Sequence, residues 1–388
     1  MVPNLRFNND PYKKYNLYEF ATRVTRKNKD NVSNLPLTIS AQYGLVDQVS
    51  FFNKTVASKD MSGYYLLKNG EFAYNKSYSN DYPWGAIKRL DLYDMGCLST
   101  LYICFKTNDN IVNSNYLVHY FESSKWHKQV ADIAGEGARN HGLLNIGVND
   151  FFNTKHAVPT IENQIKIAGF LDLIEKRIQT QIKIIDDLVL KNKYIISSLL
   201  KSIQDNEKIM LKDILFDYNI KTTINNEYPV LSSTASGMYL QSDYFNKETS
   251  SDNTIGYKIV PRGYCTYRSM SDTGLFTFNI QNLVEKGIVS PAYPVFSSND
   301  DYINEFIILY LNNSSYIKKQ ILELKSGGTR FALPFSTLCT LKIPKLEKEK
   351  QLSLIKTITA FERKIENEEI ILNALHQQKI FLLNNMFI

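Results

Sequence analysis

Two sets of polar and aromatic residues, clustered around glycines, could hydrogen-bond to nucleic-acid bases or phosphates. Arginine and lysine bind phosphate and guanine, and asparagine and glutamine bind adenine. Glycine lets a loop come close to a groove. Each segment alone is more typical of a turn, so the binding interpretation depends on its recurrence at matching places. The candidate DNA-binding residues are Gln42, Tyr43, Lys76, Ser77, Arg139 and His141 in the first set, and Ser236, Arg268, Ser269 and Arg330 in the second.

Arg139 and Arg330 occupy matching Gly-x-Arg loops. Two domains that read different bases would not need the same base-reading side chain at one place. A shared arginine fits a contact to phosphate, which every sequence offers. The alternative is a structural role, in which each arginine binds carbonyl groups of its own turn.

Residue patterns typical of an active site are absent from the sequence. It contains no G-x-G-x-x-G after a strand, no Walker lysine and no H-E-x-x-H, and its five histidines lack ligand or triad spacing. The segment 9–12, Asn-Asp-Pro-Tyr, partly matches a loop of amino-methyltransferases, but we interpret it as a turn. The four cysteines lack CxxC spacing, which favours free thiols in a reducing cytoplasm. We therefore expect no catalytic residue, metal or cofactor in this chain.

The sequence contains one domain-sized unit twice. The motif G-x-x-S-x-x-Y-x-x-F at 96–105 recurs at 287–296, and Gln164 recurs as Gln351. The small drift in spacing between matches indicates short insertions or deletions in two copies of one ancestral unit. Such a unit exceeds the repeats of solenoids and predicts a duplicated domain. At a spacing of 193 residues, Ser40, Gly44 and Gln48 match Ser233, Gly237 and Gln241.

Each copy is predicted to be a β-rich domain followed by a long helix. Short β-branched and aromatic runs separated by Asn, Gly and Asp predict strands and turns over 17–110. Helical spacing follows at 113–130 and at 304–322, so we expect α+β domains with a mixed or antiparallel sheet. The predicted segments are a first domain at 1–155, a long helix at 156–205, a second domain at 206–340 and a second long helix at 341–388.

Pro159 and Pro344 each precede a long helical pattern. About 40 residues at 1.5 Å per residue give a helix of about 60 Å. Apolar residues repeat in steps of three and four on both helices, which predicts coiled-coil packing. Because the two helices share this pattern, the simplest partner for each is the other, and we take their pairing to be antiparallel. The alternative is that each helix packs on its own domain. The expected coiled-coil and partner-interface residues are Leu171, Ile174, Ile178, Ile182, Ile185, Val189, Ile196, Phe361, Ile365, Leu372, Leu375 and Leu382.

Ile182, Val189 and Ile196 form a second apolar line on the first helix. One coiled-coil seam cannot cover both lines, so a domain or another chain must cover this one.

The composition describes an ordinary globular protein with a mildly basic charge. Of its 388 residues, 44% are hydrophobic and 22% are charged, and the net charge of +6 suits a polyanionic partner without requiring one. The longest uncharged apolar run, 306–311, is too short to span a bilayer. The N-terminal residues lack an apolar signal region. We expect a cytoplasmic protein that does not bind membranes.

Over essentially its whole length, the chain resembles the specificity subunits of type I restriction–modification enzymes. The resemblance rests on the order of domains and helices, the proline and glutamine that open each long helix, the repeated G-x-x-S-x-x-Y-x-x-F and the Gly-x-Arg loops. The copies differ where the first has extra residues between Arg139 and Pro159, and has His141 where the second has Ala332.

The resemblance implies a non-catalytic subunit that reads double-stranded DNA with two methyltransferase subunits and, for cleavage, motor-nuclease subunits. S-adenosylmethionine, ATP and Mg²⁺ would belong to those partners. Two target recognition domains related by a pseudo-two-fold axis would each read half of a bipartite, asymmetric site. The coiled coil would set the spacer, about one helical turn between half-sites, and would dock the methyltransferases. The alternatives are an unrecognised methyltransferase or nuclease, and a coiled-coil adaptor that binds only proteins.

Overall fold

Two long helices and many short strands make up the chain, as the predicted α+β class requires. The chain divides into unit 1, residues 1–182 and 370–388, and unit 2, residues 183–369. Each unit therefore contains part of both long helices. The computed structural model describes residues 5, 7, 11–40, 43–54, 56–79, 82–135, 142–244, 253–324 and 331–388.

Unit 1 contains a four-stranded antiparallel sheet and three antiparallel strand pairs. Its strands are β1 (Lys13–Asn16), β2 (Ala21–Arg23), β3 (Leu37–Ser40), β4 (Gly44–Asp47), β5 (Tyr65–Lys68), β6 (Phe72–Asn75), β7 (Ala86–Arg89), β8 (Met95–Leu98), β9 (Ile103–Thr107) and β10 (Lys155–Val158). Its helices are α1 (Leu17–Phe20), α2 (Gln48–Phe52), α3 (Ser114–Glu122), α4 (His127–Ala131), α5 (Val148–Phe152) and the first part of α6 (Ile161–Ser202). The sheet order is β2-β9-β6-β7, and the pairs are β1-β10, β3-β4 and β5-β8.

Unit 2 has a four-stranded sheet and three strand pairs equivalent to those of unit 1, and it has a fourth strand pair as well. Its strands are β11 (Lys208–Met210), β12 (Leu215–Asp217), β13 (Leu231–Thr234), β14 (Gly237–Leu240), β15 (Lys258–Pro261), β16 (Cys265–Tyr267), β17 (Met270–Ser271), β18 (Phe278–Ile280), β19 (Lys286–Val289), β20 (Val295–Ser298), β21 (Phe331–Ala332) and β22 (Lys342–Pro344). Its helices are α7 (Gln241–Tyr244), α8 (Asn304–Asn313), α9 (Ser315–Glu323), α10 (Phe335–Leu338) and the first part of α11 (Lys348–Met386). The sheet order is β12-β20-β16-β18, and the pairs are β11-β22, β13-β14, β15-β19 and β17-β21.

The repeated G-x-x-S-x-x-Y-x-x-F motif forms a strand, a tight turn and the next strand in each unit. A Cβ atom at Gly96 would lie 2.5 Å from a methyl carbon of Leu37, and one at Gly287 would lie 2.3 Å from a methyl carbon of Leu231. In both units the tyrosine N–H donates to the serine carbonyl across the turn, at 3.2 Å and 2.9 Å. The glycine of the motif is therefore needed where the strand packs against β3 or β13.

The helical segments that follow the sheets are each broken in two, contrary to the continuous helices expected at 113–130 and 304–322. Ser123 is extended, and its hydroxyl donates to the carbonyl of Tyr120 at 2.6 Å, which ends α3. Ser314 is also extended and separates α8 from α9. Serine side chains compete with the helix for backbone hydrogen bonds, and the apolar spacing continues across both breaks.

Gln164 joins the start of α6 to the first domain through three hydrogen bonds. Its side chain is fully buried. Its Oε1 accepts from the N–H of Asn113 at 2.7 Å, and its Nε2 donates to the carbonyls of Ile111 at 3.2 Å and Pro159 at 2.8 Å. Asn113 is the N-cap of α3, so one amide fixes the ends of two helices.

Gln351 makes the same three contacts in unit 2, and it is also fully buried. Its Oε1 accepts from the N–H of Ile303 at 3.0 Å, and its Nε2 donates to the carbonyls of Asp301 at 3.0 Å and Leu346 at 2.8 Å. We call these contacts of Gln164 and Gln351 the glutamine bridges. They explain why a glutamine recurs at the start of both long helices.

The long helices run antiparallel to one another within each unit. In unit 1, Lys379 near the end of α11 donates to Glu175 in the first part of α6 at 2.6 Å. In unit 2, Leu200 near the end of α6 and Leu354 near the start of α11 belong to one hydrophobic cluster. Apolar residues of both helices also enter the core of unit 1; they are Ile167, Leu171, Ile174, Ile178, Leu375, Leu382 and Leu383.

The second apolar line of the first helix is covered at both ends by the units themselves. Ile182 packs against the core of unit 1, and Ile196 packs against the core of unit 2. Val189, between them, is half-buried.

All four cysteines are free thiols, as the sequence predicted. Burial raises the pKa of Cys104 to about 12, so this thiol stays protonated and unreactive. No helix among the described residues is long and apolar enough to cross a membrane.

His156 is buried in the core of unit 1 with both ring nitrogens hydrogen-bonded. Nδ1 lies 2.9 Å from the hydroxyl of Tyr120, and Nε2 lies 2.8 Å from the hydroxyl of Thr154. Thr154 already donates its proton to the carbonyl of Phe151, so Nε2–H donates to Thr154 and Nδ1 accepts from Tyr120. A neutral imidazole satisfies this network, and burial lowers the pKa of His156 to about 4.

We expect His156 to make unit 1 less stable in mild acid. At pH values between the unfolded pKa of 6.5 and the folded pKa of about 4, the imidazole of His156 is protonated in the unfolded chain and neutral in the folded chain. The free energy of unfolding therefore decreases as the pH is lowered from about 6.5 to about 4, by up to about 3 kcal/mol in total. Denaturant unfolding at several pH values should show a smaller decrease in His156→Gln than in the wild type. Parallel curves for the two proteins would contradict this prediction.

Candidate nucleic-acid interface

The structure describes six of the ten candidate DNA-binding residues. Tyr43, Ser77, Ser236 and Arg268 are exposed, and Lys76 and Ser269 are half-buried. The other four, for which the DNA-binding role stays a prediction, lie outside the described residues; they are Gln42, Arg139, His141 and Arg330.

Arg268 lines an open polar cleft of about 440 Å³, which we call the unit 2 cleft. Strand β13 contributes one side of it, and the segment 268–277 contributes another. The residues that bring hydroxyl groups to the lining are Ser232, Ser233, Thr234, Ser271, Thr273, Thr277 and Tyr293. Hydroxyl groups both donate and accept hydrogen bonds, so the unit 2 cleft suits a polar ligand.

The side of the unit 2 cleft formed by β13 is held in place by Asn279. The Nδ2 of Asn279 donates to the hydroxyl of Ser233 at 2.8 Å and to the carbonyl of Thr234 at 2.9 Å. Gly237 has φ of +129°, a conformation that favours glycine, and it closes the turn between β13 and β14. Ser236 in this turn shares a hydrogen bond of 3.1 Å with the hydroxyl of Thr234.

The backbone around Arg268 is fixed on both sides. The buried Tyr267 donates its hydroxyl to the carbonyl of Leu333 at 2.8 Å. The N–H of Leu333 donates to the carbonyl of Ser269 at 2.8 Å, and the hydroxyl of Ser269 donates to the carbonyl of Ala292 at 2.9 Å. Ser269 thus supports the loop, whereas the side chain of Arg268 is exposed and lines the cleft.

The guanidinium of Arg268 makes no hydrogen bond or ion pair with any residue that the structure describes. Arg262 in the same unit is different, since it donates to the carboxylate of Glu285 and to the carbonyl of Asn282, both at 2.8 Å. An exposed guanidinium without a partner retains all its donors for a ligand. Arg268 is therefore the described cation of this cleft that is best placed to bind a phosphate or a base.

Tyr43 lines a different kind of cleft in unit 1, of about 220 Å³. The lysines and the arginine in its lining are ion-paired: Lys88 with Glu122, Arg89 with Asp91, and Lys379 with Glu175. Tyr43 itself lies in the turn between β3 and β4 and is 68% exposed. The unit 1 cleft therefore has an exposed aromatic ring available to a ligand, whereas the unit 2 cleft has an unpaired cation.

Lys76 and Ser77 lie apart from the cleft that contains Tyr43. The ammonium of Lys76 donates to the carbonyl of Ile146 at 3.4 Å, and its own carbonyl accepts from the N–H of Leu144 at 2.9 Å. These contacts hold Lys76 to the segment 144–146. Ser77 is exposed beside it.

Sequence reasoning missed polar residues that line the unit 2 cleft, including Thr234, Asp272 and Thr273. It also missed Asn279, which holds β13 in place. The run of hydroxyl-bearing residues between 269 and 277 was a visible signal. The sequence contained no signal for Asn279, because its position opposite Thr266 depends on the register of β16 and β18. No cluster of three His, Cys, Asp or Glu residues suited to a metal ion occurs in the part of the chain that the structure describes.

Comparison with solved structures identifies the fold. A chain from a structure on the complex assembly and conformational transition of the type I R-M system is 15% identical, with a TM-score of 0.61, and the match covers 96% of this chain and 97% of that one. The HsdS subunit from Thermoanaerobacter tengcongensis is 14% identical, with a TM-score of 0.55, covering 97% and 96%. The chain has the fold of a type I restriction–modification S subunit. No protein-family model and no curated protein matches its sequence.

The long helices of this S-subunit fold bury only part of the predicted interface. Leu171, Ile174, Ile178, Leu375 and Leu382 are buried. The half-buried members are Ile182, Ile185, Val189, Ile196, Phe361, Ile365 and Leu372.

Apolar side chains elsewhere on both long helices remain exposed. Leu173, Leu190 and Tyr194 on α6 are 65%, 64% and 75% exposed, and Ile370 and Phe381 on α11 are 61% and 58% exposed. Leu190 and Tyr194 are four residues apart and therefore share one face of α6.

Proposed function

We propose that this chain is the specificity subunit of a type I restriction–modification complex and reads double-stranded DNA. The observation that carries the proposal is the S-subunit fold, which extends over 96% of the chain. The duplicated domain supports it, since two copies suit a bipartite site. The chain itself would be non-catalytic.

Each unit would read one half of the site, and the two halves would differ in sequence. The support for this difference is that the unit 2 cleft has an unpaired cation, whereas the lysines and the arginine of the unit 1 cleft are ion-paired. Tyr43 would contact DNA in the first half-site and Arg268 in the second. Arg139 would contact phosphate in the first half-site, and Arg330 would do so in the second.

The long helices would set the spacer as a coiled coil and bind two methyltransferase subunits. The exposed apolar residues on both helices support a protein partner there. S-adenosylmethionine, ATP and Mg²⁺ would be used by the methyltransferase and motor-nuclease subunits, which would act with this chain in the cytoplasm. A protein adaptor without DNA readout would use the same helices but would give no sequence-specific methylation.

Exchange of one domain tests this function. Residues 206–340 are replaced by the equivalent segment of a homologous subunit, and the chain is co-expressed with its methyltransferase subunits. We expect one half-site of the methylated motif to change and the other to persist, because each unit has its own sheet and its own core. Sequencing of methylated genomic DNA measures both half-sites.

The reciprocal exchange of residues 1–155 is the matched control and should change the other half-site. A change in both half-sites would contradict independent reading. Absence of any methylated motif with the wild-type chain and its partners would contradict the proposed function itself.

A further inference from the structure

Arg268 in the unit 2 cleft has two possible kinds of DNA ligand. Its guanidinium could donate to a backbone phosphate, which is the same in every sequence, or to the O6 and N7 atoms of guanine, which marks one base. The two differ in what surrounds the arginine. A phosphate contact needs only positive charge, whereas a base contact needs a fixed backbone and neighbours that tolerate a neutral ligand.

The surroundings of Arg268 favour a base. Its neighbours Tyr267 and Ser269 are both anchored by hydrogen bonds, so the backbone from which the Arg268 side chain extends has a defined position. The carboxylate-bearing Asp272 lines the same cleft. A carboxylate repels the negative charge of a phosphate but not a neutral base.

The comparison of the two copies favours a base as well. Tyr74 and Tyr267 match in the repeat, and the next residue is Asn75 in the first copy and Arg268 in the second. A contact to phosphate would serve both copies equally, so it gives no reason for the difference. Arginine is the side chain that selects guanine, and a difference between copies is what base reading requires. In the first copy the Oδ1 of Asn75 instead accepts from the N–H of Ser77 at 3.0 Å.

We infer that the unit 2 cleft binds a G·C base pair, with the guanidinium of Arg268 donating to O6 and N7 of guanine. This inference rests on the proposed function and adds to it the base class that one half-site must contain. Arg268 is then the specificity-determining residue of unit 2 for one position of the site.

Two substitutions of Arg268 test this assignment in the full chain assembled with its methyltransferase subunits. Arg268→Ala removes the donors, so the preference for guanine at one position should fall by between about 5-fold and 150-fold. Arg268→Gln supplies the donor and acceptor pair that matches adenine, so the preferred base at that position should change towards adenine. Binding to duplexes with each base at each position, and sequencing of methylated DNA, measure both effects.

Arg262→Ala is the matched control, because Arg262 lies in the same unit and its guanidinium is occupied by Glu285 and Asn282. It should leave every base preference unchanged. Because Arg268 is exposed, its variants should melt at the temperature of the wild type.

Two results for Arg268→Ala would overturn the inference. One is a uniform loss of affinity for all duplexes, with the salt dependence reduced by about one unit of slope, which identifies a phosphate contact. The other is an unchanged motif and affinity. A wild-type complex that binds without any sequence preference would instead overturn the proposed function, so the two failures are distinguishable.

Discussion

Replacing Gln351 or Gln164 with leucine should destabilise the chain by about 3–5 kcal/mol. Each substitution removes a fully buried amide that makes three hydrogen bonds. The leucine leaves one N–H and two carbonyls without partners at buried or partly buried positions. Each such group costs about 1–3 kcal/mol, with the lower values at the partly buried positions. Denaturant unfolding followed by circular dichroism should show the loss for both variants, because the two glutamine bridges have the same geometry.

Gln377→Leu is the matched control for this prediction. Gln377 is exposed on α11, so the same chemical change should alter the free energy of unfolding by less than about 0.5 kcal/mol. A loss of similar size at Gln377 and Gln351 would show that the glutamine bridges contribute nothing specific.

Lengthening both long helices by one heptad should change the spacer of the DNA site. Seven residues inserted after Gln181 and after Glu368 keep the apolar stripe and add about 10 Å to each helix. Both positions lie within one or two residues of the boundary between the units, so Ile182 is the one residue packed on the core of unit 1 that the insertion displaces. At 3.4 Å per base pair, we expect a spacer longer by about 3 base pairs, measured by sequencing methylated DNA.

Insertion of the seven residues into α6 alone is the control for helix pairing. It makes the helices unequal in length, so their stripes no longer match, and the chain should lose stability and assembly. An unchanged spacer after the double insertion would refute the role of the helices in setting it.

Buried residues that have the same surroundings in both units were the ones that the sequence revealed best. Gly96 and Gly287 meet equivalent leucines, and Gln164 and Gln351 make equivalent hydrogen bonds. A larger side chain at either glycine would require the facing leucine to move, and an apolar side chain at either glutamine would leave polar groups unpaired, so both copies keep these residues. The repeat therefore predicted a mixed fold with short strands and two long helices.

Features decided by one side chain in its tertiary surroundings were predicted poorly. The break after α3 depends on where the hydroxyl of Ser123 donates, and the apolar spacing around it is that of a continuous helix. The same is true of the candidate site. Lys76 and Arg268 stand in matching segments, but Lys76 is engaged by a carbonyl 70 residues away and Arg268 is not.

Unit 1 is built from two segments that are far apart in the sequence, and this affects how it folds during synthesis on the ribosome. Its core needs residues 370–388, which leave the ribosome last among its parts, long after residue 182. At about 5–20 residues per second, the delay is about 10–40 s. During that time, Leu171, Ile174 and Ile178 lack the side chains of α11 that cover them in the finished chain. Unit 1 should therefore need a chaperone while nascent, and unit 2, whose parts are contiguous, should fold first.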